Sequence, residues 1–329
     1  MVQLGKWLRG LATLGFVALA APVFADDNFT RSDVEIMSAG QKLAGWHYMP
    51  NGLAEGEKRP AIVMAHGWTA VKEMYLDDFA AVFANAGFIV TVFDYRNFGG
   101  SEGEPRQHID PHMQHEDYKN AITWTTLQPG VDASRVGIWG SSYSGAHVTH
   151  LGAFDRRVKC VVAQVPLVNA VKNFRRLVRN DMWPGTHAWL AADRAEQYTK
   201  GTVNYLPVVG PQGTPSALPT QDSYDWFTAT GATRAPAWEN RQTVRSLELA
   251  LEYNPEANIH LISPTPYLMV VAENDVLTPT DLAIDAYSRA LEPKKLVILP
   301  GGHFDAYLGE GFKASSGAAV SWFQKHLMK

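Results

Sequence analysis

Cysteine is almost missing from this chain of 329 residues: Cys160 stands alone. No disulfide can form within the chain, so the fold must rest on a hydrophobic core, and Cys160 sits in the apolar run Val158 to Val165 as part of that core. A basic surplus is missing as well, with 29 Lys and Arg against 33 Asp and Glu and a formal net charge of −4. Basic pairs such as Arg175-Arg176 and Lys294-Lys295 are short and isolated, so they read as solvated surface and not as a nucleic-acid footprint. Beyond residue 25 no apolar run approaches the roughly 20 residues a spanning helix needs. There is no internal repeat or low-complexity tract either, which excludes solenoid architectures.

The first 25 residues are different. Lys6 and Arg9 precede an apolar stretch from Leu11 to Phe24, followed by Ala25 and then Asp26 and Asp27. That order of charge, apolar stretch and small residue predicts a secretory signal cleaved after Ala25 and a periplasmic or secreted protein with no stable membrane anchor after processing. The stretch is short for a membrane anchor and contains Gly15 and Pro22. Loss of the two positive charges takes the formal charge from −4 to −6.

From Pro60 onward, β-rich apolar runs alternate with helical ones. Strands are predicted at Ala61 to Ala65, Phe88 to Phe93, Arg135 to Trp139 and Val158 to Val165, with helices at Tyr75 to Ala86, Asp117 to Leu127 and Ser144 to Leu151 between them. Ahead of these, Asp33 to Met37 and Leu43 to Tyr48 flank Ala39-Gly40 as an antiparallel hairpin. The pattern resumes late, with strands at Tyr267 to Ala272 and Leu296 to Leu299 and helices at Pro279 to Leu291 and Ala314 to His326. Eight candidate strands joined mainly by helical crossovers predict an α/β fold with a mostly parallel sheet flanked by helices. The alternation fails between about 169 and 263, so the core is expected over 26–168 and 264–329 with a helical cap inserted at 169–263. Helices are predicted in the cap at Ala188 to Lys200 and Ser246 to Glu252. Trp183, Trp189, Tyr198, Tyr205, Trp226 and Trp238 fall in it, each expected first as a member of the cap's own small core and second as pocket lining.

The chemistry concentrates where these strands end. The run Gly137 to Gly145 joins a strand directly to a helix and centres on Ser142, two residues after Gly140, as a nucleophile elbow requires. Ser144 stands where the strict pattern has Gly, with Gly145 one place later; Ser141 and Ser144 are the rival nucleophiles. A serine hydroxyl needs a base, and the base needs a third group to fix its tautomer. Asp275 and His303 follow two late strands in the order Ser, acid, His. Glu273 and Asp281 are fallback acids, and His326, near the end of the terminal helix, is the rival base. The backbone N–H groups of Trp68, in His66-Gly67-Trp68, and of Tyr143 are candidates for the oxyanion hole.

With these pieces together, and with the loop from Asp94-Tyr95-Arg96 to Gly99-Gly100-Ser101, the chain from about residue 30 onward resembles the α/β-hydrolase superfamily. Tyr143 after the nucleophile, followed by Gly145, is similar to the cocaine-esterase and Xaa-Pro dipeptidyl-peptidase branch, and Gly140 to His147 resembles hydrolases called polyketide-transferase-like. The extra β-sandwich usual in the dipeptidyl-peptidase branch has no counterpart after the hydrolase pattern, which points away from peptidase work. The resemblance implies a serine esterase acting on a small-molecule ester, apolar or aromatic given the cap, through an acyl-enzyme and without a cofactor. A thioesterase or acyltransferase, a peptidase or amidase, and a non-catalytic binding protein on the same fold are the alternatives.

Two weaker patterns point elsewhere. His108, Asp110, His112, His115, Glu116 and Asp117 crowd what reads as one surface loop, but they lack a recognisable tetrahedral ligand set, so no metal is expected. His147 and His150 share a helix face as packing residues. Gly99 to Gly103 lacks both the Lys-Ser ending and the spacing of a phosphate loop.

Overall fold

A computed structural model describes residues 28–328; the expected leader, 1–25, lies outside the described residues. The described chain opens with a hairpin in which β1 (Phe29–Ser38) and β2 (Gln41–Pro50) pair antiparallel around Ala39 and Gly40. Both turn residues have positive φ, 46° and 83°, which suits a two-residue turn between right-twisted strands. β3 (Arg59–Ala65), α1 (Leu76–Asn85), β4 (Ile89–Phe93), α2 (Pro111–Thr126), β5 (Val131–Ser141), α3 (Tyr143–Phe154) and β6 (Val158–Gln164) follow in strict alternation.

The segment after β6 contains α4 (Ala170–Leu177), α5 (Trp183–Lys200), β7 (Tyr205–Leu206), α6 (Gln221–Thr233), β8 (Gln242–Thr243), α7 (Val244–Leu251) and a 3-10 stretch, Pro255–Ile262. β9 (Tyr267–Ala272), α8 (Thr280–Arg289), β10 (Lys294–Leu299), a short 3-10 turn (His303–Tyr307) and α9 (Gly309–Leu327) close the chain. The eight long strands form one sheet in the order β1-β2-β4-β3-β5-β6-β9-β10. β2 meets β4 antiparallel, and every pair from β4 to β10 is parallel. Every residue of β4 and β9 is buried, as expected of central parallel strands covered by helices on both faces. Among the described residues no helix is long and apolar enough to cross a membrane.

Three sequence expectations shift. α2 starts at Pro111, not Asp117, because the Asp110 side chain accepts hydrogen bonds from the N–H groups of His112 (2.8 Å) and Met113 (3.3 Å) and caps the helix. His112, His115, Glu116 and Asp117 therefore stand on a helix and not in a surface loop. α6 went unpredicted since Gly231 and its three threonines are poor helix formers. Gly231 has a packing reason to be there: a Cβ would sit 2.8 Å from the Trp238 ring. α4 also went unpredicted: its apolar residues Ala170, Phe174 and Leu177 recur at helical spacing, but over only eight residues.

Candidate active site

Ser142 stands between the end of β5 and the start of α3 with φ 57° and ψ −117°, a conformation a non-glycine residue adopts only when its surroundings impose it, at a cost of about 1–3 kcal/mol. Those surroundings are identifiable. The Ser142 N–H donates to the Gln164 carbonyl (2.8 Å), and its own carbonyl accepts from Leu167 (3.1 Å) and Ala146 (3.3 Å). A Cβ on Gly140 would lie 2.2 Å from the Ser144 carbonyl oxygen, and one on Gly145 2.8 Å from Pro166. Gly145 thus supplies the close helix-to-strand approach that the strict motif assigns to the preceding position. Ser144 fits there because its hydroxyl is paired with the Tyr95 hydroxyl at 2.8 Å.

His303 begins the turn after β10, and Asp275 lies in the turn after β9, both fully interior. His303 Nδ1 is 2.7 Å from Asp275 Oδ2. The other carboxylate oxygen accepts from the N–H groups of Leu277 (2.9 Å) and Thr278 (2.7 Å), so the acid is held on both sides. With Nδ1–H donating to the carboxylate, a neutral imidazole leaves Nε2 free to accept a proton. Thr278 was not anticipated. Its hydroxyl lies 2.9 Å from Asp275 Oδ2, 3.1 Å from His303 Nδ1 and 3.0 Å from the Val165 carbonyl, tying acid and base to the end of β6. Val165 takes φ 36° there, rare for a β-branched residue and rarer before a proline. The spacing Asp275-Val276-Leu277-Thr278, an aspartate whose carboxylate receives the amides two and three residues on, was the available sequence signal.

Ser142, His303, Trp68 and Tyr143 line one cavity of about 660 Å³, mouth included, together with Gly67, Thr278 and a largely apolar wall that includes Met74, Leu167, Phe174, Trp226 and Phe304. Gly67 is compelled: a Cβ would come within 2.9 Å of the Ser142 Cβ. The rings of Trp68 and Tyr143 meet edge to face at 4.8 Å, and the Trp68 indole N–H donates to the Gln242 side-chain oxygen. Gln242, buried on β8, is a contact from the inserted segment that no local sequence pattern announces. His66 is buried, and burial lowers its pKa, with Asp94 opposing; its Nδ1 is 3.0 Å from the Gly67 carbonyl. It braces the loop and does not reach into solvent.

The alternatives fall elsewhere. Ser141 is fully buried, its hydroxyl 2.5 Å from that of Tyr307, and neither Ser141 nor Ser144 lines the cavity. Glu273 is exposed, Asp281 pairs with Arg176 at the surface (2.6 Å), and His326 packs on Trp322 within α9. The histidines upstream are engaged in packing. His115 and His147 both contact the Tyr253 hydroxyl, at 2.8 and 2.9 Å, His150 stacks on His115, and burial lowers the pKa of all three. His108 contacts Thr243, and Asp117 binds Arg96. The Gly99-Gly100 turn wraps the Asp94 carboxylate, which accepts from the Lys72 N–H (2.7 Å) and the Gly100 N–H (3.2 Å). Of the six aromatics singled out in the inserted segment, Trp226 lines the cavity and Trp238 stacks on Phe227. Trp189, Tyr198 and Tyr205 are exposed, contrary to the expected core role.

The family model described as X-Pro dipeptidyl-peptidase (S15 family) matches residues 39–305. The chain is 33% identical over 311 residues to the thiohydrolase aneE of Aspergillus aculeatus, covering 90% of this chain and 93% of that one. It is 32% identical over 283 residues to the polyketide transferase grgF of a Penicillium species, covering 85% and 92%. Among solved structures, the α/β hydrolase GrgF from Penicillium sp. sh18 superposes with a TM-score of 0.78 at 30% identity, covering 91% of this chain and all of that one. With an eight-stranded, mostly parallel sheet and a serine turn of this geometry, the chain belongs to the S15 family of α/β hydrolases.

Proposed function

We propose that this protein is a serine hydrolase that cleaves carboxylic esters through an acyl-enzyme on Ser142. The observation that carries the reading is a single apolar cavity bounded by Ser142 on its strained turn and by His303, whose Nδ1 is 2.7 Å from Asp275. His303 Nε2 takes the proton as the Ser142 hydroxyl attacks the carbonyl, and Asp275 fixes the tautomer and offsets the charge of the imidazolium. The backbone N–H groups of Trp68 and Tyr143 receive the oxyanion. The alcohol leaves with the proton from His303, and water, activated by the same base, releases the acid. Residues 169–263 act as a cap over this centre.

A second reading, a thioesterase or acyltransferase using the same residues, is favoured by the relatives named a thiohydrolase and a polyketide transferase. Assay of the purified protein with p-nitrophenyl esters, acyl thioesters and an added alcohol acceptor separates the two. Ester turnover that Ser142→Ala lowers by about 10⁶-fold with the melting temperature retained supports the first reading. Turnover of thioesters alone, or acyl transfer to the alcohol exceeding hydrolysis, favours the second, and undiminished turnover by the variant refutes both. The reading includes export, supported by Lys6, Arg9 and the apolar stretch that follows. N-terminal sequencing of the processed protein is expected to begin at Asp26.

A further inference from the structure

Phe174 and Leu177, on one face of α4, are apolar walls with space on both sides. On one side is the cavity that holds Ser142. On the other is a second hollow of about 440 Å³, open mouth included, lined by Trp183 and Leu190 of α5, Ala217 and Pro219 ahead of α6, and Leu251 of α7. Apart from the Trp183 indole N–H its polar lining is Thr186 and Ser216, and no charged side chain reaches it, so it suits an uncharged, mainly apolar group. α4 itself is braced from its polar side. Lys172 pairs with Glu256 (2.8 Å), Arg176 with Asp281 (2.6 Å), and the Asn173 amide donates to the Leu277 carbonyl (2.9 Å) in the turn that holds Asp275. The helix backbone is therefore fixed to the core, while Phe174 and Leu177 remain only half-buried between the two spaces.

We propose that the second cavity is an acyl-tail chamber: the distal end of a long, unbranched, uncharged acyl chain attached to Ser142 passes Phe174 and Leu177 and lodges among Trp183, Leu190 and Leu251. This rests on the acyl-enzyme reading above. The acyl part and not the alcohol suits the chamber for a kinetic reason. The alcohol must depart before water can attack, whereas the acyl part stays bound through both steps and gains from an apolar seat throughout. The chamber thus sets the acyl-length preference, and Phe174 and Leu177 form the constriction.

The test compares kcat/KM for p-nitrophenyl butyrate, octanoate and dodecanoate in the wild type and in variants that fill the chamber without facing Ser142. The wild type is expected to favour dodecanoate over butyrate. Ala217→Trp is expected to lower the dodecanoate-to-butyrate ratio by about tenfold, the equivalent of losing one or two buried methylenes. Leu251→Phe, a smaller intrusion, serves if Ala217→Trp does not fold, and Phe174→Ala is expected to raise the ratio. An unchanged ratio in a folded filling variant, or a wild type indifferent to length, overturns the chamber while leaving the acyl-enzyme in place. Failure to turn over even butyrate, with no organophosphonate adduct on Ser142, overturns the acyl-enzyme reading and the chamber with it.

Discussion

Every residue of β9 is buried, whereas along the 18 residues of α5 only Leu190 and Asp193 are. The two regions answer different demands. In the sheet, backbone and side chain are constrained together, and the site's groups sit at strand ends where that constraint is greatest: Ser142 after β5, the Val165 carbonyl after β6, Asp275 after β9 and His303 after β10. The inserted segment is held to the sheet at a few points, among them Gln242 against Trp68 and Arg234 across Asp77 and Asp78, and leaves Trp189 and Tyr198 facing solvent. The two regions are held by different forces, and substitutions in them should fail differently.

The largest effect is expected where the rigid region carries the reaction. Asp275→Asn should lower kcat by about 10⁴-fold with little change in KM, because an amide favours the wrong imidazole tautomer; steady-state kinetics on a short ester measure it, and a loss under tenfold would remove Asp275 from its role. Gly140→Ala should act on stability first. The new Cβ meets backbone at 2.2 Å, so the turn must move, at a cost of about 1–3 kcal/mol from overpacking. Thermal melting of this variant beside the wild type tests it, and an unaltered melting temperature would mean that the elbow is looser than its contacts imply.

Acid sharpens the comparison from another side. Burial lowers His47 and His150 to about 4, and His66, His115 and His147 are lowered for the same reason, all of them in the sheet region. An unfolded histidine titrates near its ordinary 6.5, so between there and about 4 the unfolded chain binds protons that the folded chain refuses. Stability is therefore full above that window and falls as pH drops through it. The fall should correspond to about two or more protons per molecule near pH 5. Melting temperatures measured across this range check it, and a flat profile contradicts the buried neutral histidines.

At the junction of the two regions, Gln242→Leu should lower kcat/KM by about tenfold, since it strands the Trp68 indole N–H beside the oxyanion loop. The smallest effects belong to the exposed aromatics: Trp189→Ala and Tyr198→Ala should change stability by no more than about 0.5 kcal/mol. A larger loss in either would show a contact that the exposed face of α5 does not suggest.

The same contrast governs what could be read from the sequence. The sheet was legible because parallel strands bury both faces and stand out as continuous apolar runs, with Gly and small residues marking their ends. Ser142, Asp275 and His303 were singled out because each follows such a run, and Ser142 and His303 line one cavity with Asp275 2.7 Å behind His303. α4 and α6 were not legible, α4 because its period runs over only eight residues and α6 because its threonines and Gly231 are poor helix formers. Thr278 sits in a turn whose Asp-x-x-Thr spacing is a weak local signal, and Gln242 could not have been found locally at all, since its partner Trp68 is 174 residues away. The exposure of Trp189, Tyr198 and Tyr205 corrects the assumption that aromatics in an insertion fill its interior.

The most direct test of the central claim is mass spectrometry of the mature, folded protein after treatment with an organophosphonate, with peptide mapping of the adduct. A single adduct on Ser142, absent from His303→Ala under the same conditions, is the predicted result. An adduct on Ser141, Ser144 or any other residue, or none on a protein shown to be folded, would contradict it.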